Sequence, residues 1–127
     1  MPDFAALFEA RLKTVPDLLV YDGEAPTGKD EPENYVVYYT TTPRQETARL
    51  SADHSMRGHT ISTMCVGKSP WQVRETAKVV HAALTRHRLA TAAEPIRLGT
   101  AGQVRDDSTV NPRKWIVTDV WRFNAPA

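Results

Sequence analysis

The chain has 127 residues, 41% of them apolar and 24% charged, which suits one globular domain with a buried core and excludes wholesale disorder. Sixteen Lys and Arg against fifteen Asp and Glu leave a formal charge of +1, so neither a general nucleic-acid coat nor a polybasic membrane binder is indicated. No run approaches the roughly 18 apolar residues of a membrane span, the start Met1-Pro2-Asp3-Phe4 lacks the pattern of a signal peptide, and the single Cys65 cannot build a disulfide framework or a paired-cysteine zinc site. The expectation is a soluble intracellular domain spanning residues 1–127.

Residues 3–13 (DFAALFEARLK) predict a short amphipathic helix, with Phe4, Leu7, Phe8 and Leu12 on one stripe, Asp3 as its cap and Pro16 as its stop. Leu18 to Tyr21 reads as a short strand. Residues 22–34 (DGEAPTGKDEPEN) hold five acids and one lysine among two Gly and two Pro, the composition of a solvated acidic loop. Tyr35 to Thr41 is rich in β-branched and aromatic residues and predicts a strand that Pro43 closes. The polar stretch 43–57 has no apolar period and reads as a long loop, of a kind that is usually functional or disordered. A further strand follows from His59 to Val66, with Ile61, Thr63 and Cys65 on one face.

Ser69-Pro70-Trp71-Gln72 combines an N-cap serine, a proline at the first helical position and a glutamine that completes a capping box. The helix is expected to run from 70 to about 89, burying Val73, Ala77, Val80 and Leu84 and gathering Arg86, His87 and Arg88 in its last turn. Ile96 to Val104 predicts a weaker strand, thinned by Gly99 and Gly102, and Trp115 to Phe123 predicts the last one. The fold class is therefore α+β, a mostly antiparallel sheet with two helices packed on one face, in the order α-β-β-β-α-β-β.

The residues offer little chemistry. GTAGQV at 99–104 is not a dinucleotide turn, and there is no P-loop, H-E-x-x-H or G-x-S-x-G. Asp53, His54 and His59 lack the spacing of a metal site, and Cys65 on an apolar strand reads as a buried, inert thiol. No catalytic, cofactor-binding or metal residue is assigned. Two features call for a function. Both faces of the last strand and of the 35–41 strand are apolar and aromatic, which argues for a partner and marks Tyr39, Trp115 and Trp121 as candidate subunit anchors. The 43–57 loop carries Arg44, Arg49 and Arg57, candidates for an assembly surface.

In order and spacing the chain resembles the tail terminator, or tail-completion, proteins of long non-contractile-tailed bacteriophages. The resemblance lies in the N-terminal helix, the strand YVVYYT, and HTISTMCVG running into the capped helix SPWQVRETAKVVHAAL. It ends in the hairpin EPIRLGTAGQVRDDSTVNPRKWIVTDVWRF, and so covers nearly the whole chain. It implies a structural virion protein, not an enzyme, with no cofactor and no membrane. Such a protein forms a homo-oligomeric, six-membered ring that caps the tail tube, ends its polymerisation and provides the head–tail joining surface. The implied partners are other copies of the chain, the tail tube protein, a head-closure or connector protein and DNA in transit. The implied location is the head-proximal end of the virion tail, after assembly in the host cytoplasm. Arg44, Arg49 and Arg57 would line the lumen or touch the tube. A head-closure or tail-adaptor protein, and a small-ligand binding domain or enzyme, are the alternatives.

Overall fold

The computed structural model describes residues 3–25, 32–40, 44–45, 56–107 and 114–126. Asp3 opens the first helix, α1 (Phe4–Lys13), its carboxylate accepting the Ala6 N–H at 3.2 Å. That bond satisfies one of the donors a helix start leaves unpaired. Phe8 and Leu12 are buried, while Phe4 packs at the margin of the core. After a turn in which Asp17 takes a left-handed conformation, β1 (Val20–Asp22) pairs in parallel with β2 (Tyr35–Thr40).

Two long strands form the spine. β4 (Met56–Gly67) and β7 (Lys114–Pro126) pair antiparallel from Met56↔Pro126 to Gly67↔Trp115. β2 flanks β4 antiparallel, and the short β3 (Arg44–Gln45) pairs with the start of β4. On the far side of β7 lie β5 (Arg97–Thr100) and β6 (Arg105–Asp107). The order across the sheet is β1-β2-β4-β7-β5, with every pairing except β1–β2 antiparallel. This is the expected α+β class and element order, with β3 and β6 as short additions.

The second helix, α2 (Pro70–Leu84), starts as the sequence predicts. Ser69 Oγ accepts the Gln72 N–H at 3.2 Å, and Gln72 Oε1 reaches back to the Lys68 N–H at 3.1 Å. Val73, Val80, Ala83 and Leu84 are buried, and Ala77 lies against the same core. Both helices cover one face of the sheet, enclosing Val36, Tyr38, Ile61, Cys65, Val117, Trp121 and Phe123. Arg11 Nε donates to the Ala83 carbonyl at 2.8 Å, so a cation of α1 meets the last turn of α2, where unpaired carbonyls favour positive charge.

Three sequence expectations need correction. The second helix stops at Leu84, not near 89. Thr85 turns extended, Arg86 takes a φ of 65°, and the chain pairs with Ile96 through Arg86 N–H to Ile96 O and Ile96 N–H to His87 O, each at 2.9 Å. Arg86, His87 and Arg88 thus lie beyond the helix. The 96–104 strand is broken by a bulge at Gly99 and leaves the ladder at 101–104. The 43–57 loop is shortened from both ends, because Arg44↔Gly58 and Gln45↔Arg57 are paired residues of β3 and β4. Positions 46–55 lie outside the described residues.

Leu84 is fully buried, so Leu84→Ala is expected to destabilise the fold by about 2–5 kcal/mol in a denaturant titration. Cys65 yields a second expectation. Burial, and then the Asp119 carboxylate, push its thiol from 9.0 up to about 12. The folded chain holds this proton to higher pH than the unfolded chain does, so the contribution is intact below pH 9 and lost as pH rises towards 12. Stability should fall above pH 9, less steeply in Cys65→Ala, and a thiol reagent should label the native protein only after denaturant is added.

Candidate functional site

The proposed aromatic anchors separate. Trp121 has no exposed surface: it lies in the main core, donates Nε1–H to Thr63 Oγ1 at 2.9 Å, and meets the His81 ring edge-on at 5.0 Å. It is a core residue and is not available as an interface anchor. Trp115 is partly buried against that core, whereas Tyr39 is 41% exposed. The second apolar face is largely covered within the chain, where Tyr35, Val37, Val66 and Ile116 form a smaller buried cluster with Tyr21, Ala25 and Met64 at its margin. Arg44 and Arg57 sit on paired strands, and Arg49 lies outside the described residues. Of the residues weighed as metal ligands, Asp53 and His54 also lie outside. His59 is stacked on Phe123, ring centres 4.8 Å apart, and tilted against Phe4 at 4.7 Å.

The most developed site lies elsewhere, between α2 and the β5–β6 edge. Asp119 on β7 faces the helices and is buried. One carboxylate oxygen is 2.8 Å from His81 Nε2, and the other accepts the Gly102 N–H at 2.9 Å. Charge-assisted bonds of this kind offset the cost of withdrawing a carboxylate from water. Gly102 is required by close approach: a Cβ there would stand 1.9 Å from the Thr118 carbonyl oxygen. Segment 101–104 is thereby pressed onto β7 and becomes one wall of an open groove of about 380 Å³. Ala77, Val104 and Val117 make its apolar floor, and Arg74, Lys78 and His81 rise from the α2 side.

These α2 residues continue a stripe that begins at Trp71. Positions 71, 74, 78 and 81 are spaced i, i+3, i+7 and i+10, one side of a helix. Trp71 is 64% exposed, the most exposed large apolar side chain among the described residues. The sequence reading used Trp71 only as part of a helix start and passed over Asp119. One polar residue on an alternating strand is a weak signal, and His81 lies 38 positions from it.

Chemically, the Asp119 carboxylate fixes the His81 ring and leaves Nδ1 as the imidazole's second polar atom. Cys65 cannot serve such a histidine as a nucleophile, being fully buried with its thiol pushed up to about 12. His87, beyond the helix, is held below its ordinary value of 6.5 by burial and then by the nearby Arg11 guanidinium. The groove's cations suit an anionic ligand.

No family model matches the chain. No curated protein matches it either. Among solved structures, one aligns with 98% of this chain and 94% of its own, at a TM-score of 0.63 and 18% identity. That likeness concerns the fold.

His81 and Asp119 should be coupled energetically. A double-mutant cycle of His81→Ala and Asp119→Ala, read by denaturant titration, is expected to give an interaction of about 0.5–3 kcal/mol. Gly102→Ala should lose about 1–3 kcal/mol, since lifting the loop leaves a buried carboxylate oxygen without its donor.

Proposed function

We propose that this chain is the subunit of a ring that caps a phage tail tube, ends its polymerisation and offers the head-joining surface. The observation that carries the reading is a surplus of exposed apolar side chains at separate places on the subunit. Leu19 and Tyr39 stand 45% and 41% exposed beside and on the β1–β2 edge, and Trp71 and Val79 stand 64% and 39% exposed on α2. Scattered exposed apolar residues are ordinary, but a tryptophan this open is the type that anchors protein interfaces. The order and spacing of the chain's segments, which resemble the tail terminators, point the same way. In the ring, the β3–β4 hairpin carrying Arg44 and Arg57, with Arg49 between them in sequence, would face the lumen or the tube. A conduit for DNA benefits from modest charge there, since tight phosphate binding would hold the cargo.

The test is a growth assay. Tail tube protein from the same genome is allowed to polymerise, and the chain is added. Tubes of limited length with a closed ring at one end are the expected result. Unlimited growth would overturn the capping role, and head joining without an effect on length would point to a head-closure protein. Replacing Arg44, Arg49 and Arg57 together with Ser should leave circular dichroism unchanged and reduce head joining or DNA delivery.

A further inference from the structure

We infer that the groove between α2 and the 101–104 segment binds a small organic anion, a carboxylate or phosphate head on a compact apolar body. The inference is independent of the ring reading, because the site lies within one subunit. The groove exists because small residues line both of its sides. Ala77 lines it on α2, Ala101 and Gly102 line it on the other side, and about 380 Å³ is left between them. Val104 and Val117 complete an apolar floor, where water finds few hydrogen-bond partners and is readily displaced. A cavity of about 150 Å³ already accommodates a benzene ring, so this one accepts a single ring with a short chain.

Arg74 and Lys78 select the head group. They stand four residues apart on one side of α2, both line the groove, and neither has an ion-pair partner among the described residues. Like charges at this spacing repel each other and weaken a helix. An anion between them relieves that repulsion, and a carboxylate or phosphate has enough oxygens to engage both. Among the described residues the one carboxylate lining the groove is Asp119, which is buried and commits one oxygen to His81 and the other to the Gly102 N–H. Two cations outnumber it, so the lining favours an anion. Its two bonds also hold α2 and the 101–104 segment in place, so the groove stands formed before a ligand arrives and little ordering is needed on binding.

Calorimetric titration of the whole chain with phenylacetate and with phenyl phosphate tests the site. At least one is expected to bind with a Kd of roughly 0.1–1 mM, as suits a ligand of about ten heavy atoms, and the tighter of the two identifies the head. Inorganic phosphate, which lacks the body, and benzyl alcohol, which lacks the charge, should bind about 10–100-fold more weakly. Arg74→Gln with Lys78→Gln should weaken binding by about 10–100-fold and leave circular dichroism unchanged, since both side chains are exposed. Ala101→Phe should weaken it as well, by filling the groove from an exposed position. Lys13→Gln with Arg86→Gln removes as much charge outside the lining and should bind as wild type does. Amide shifts during the titration should concentrate at 74–81 and 101–104. The inference is overturned if neither organic anion binds or if inorganic phosphate binds as tightly as phenyl phosphate. It is equally overturned if the groove variants bind like wild type, if the control pair binds as weakly as they do, or if the shifts fall elsewhere. None of these outcomes bears on the ring reading, which the tube-growth assay decides.

Discussion

The pairing of β4 with β7 is the constraint on which the other parts depend. It runs the full length of both strands, and a one-residue slip would exchange every core side chain for its outward neighbour. Register is held partly by apolar burial, with Ile61 opposite Trp121 and Cys65 opposite Val117. Between these pairs sits a polar one, Thr63 opposite Asp119, both fully enclosed. In any other register Trp121 Nε1–H would lose Thr63, and Asp119 would no longer face His81. An unpaired buried polar group costs about 1–3 kcal/mol, so the polar pair penalises slippage at its own position.

The same pair ties three elements together. Asp119 holds α2 through His81 and the 101–104 segment through Gly102, while Thr63 holds Trp121 beneath the helix. An apolar pair of equal volume could fill that space and leave the helix free to settle anywhere on the sheet. The two hydrogen bonds to Asp119 instead specify how far α2 stands from the β5–β6 edge. The groove is the gap that spacing leaves, and its cationic side is the outer stripe of the helix so positioned. A buried carboxylate is a poor means of adding stability, but it is an effective means of selecting one arrangement.

Much of the architecture was legible in the sequence for local physical reasons. Ser69, Pro70 and Gln72 announce a helix start through backbone donors that must be satisfied nearby, and YVVYYT announces a strand by its branched and aromatic side chains. What escaped depends on distant partners. The helix stops at Leu84 because Ile96 captures the following backbone, which no residue between 84 and 89 foretells. Trp121 looked like an interface residue because its alternation reports a face but not what covers that face. Trp71 was hidden by its place in a strong capping motif, which explains the backbone and leaves the indole unexplained. Asp119 and His81 become a site only when β7 and α2 are brought together.

A net charge of +1 hides how the charges are arranged. The stretch 22–34 gathers five acids and one lysine, while the groove side of α2 carries Arg74 and Lys78, so charges of opposite sign are concentrated in different parts of the chain. The charges alone would hold a neighbour weakly, since exposed ion pairs contribute about 0–1 kcal/mol each and are screened by salt. Charges so gathered would act on the orientation and rate of an encounter more than on its affinity. Affinity for a partner would have to come from apolar surface, and Trp71 is the most exposed large apolar side chain among the described residues.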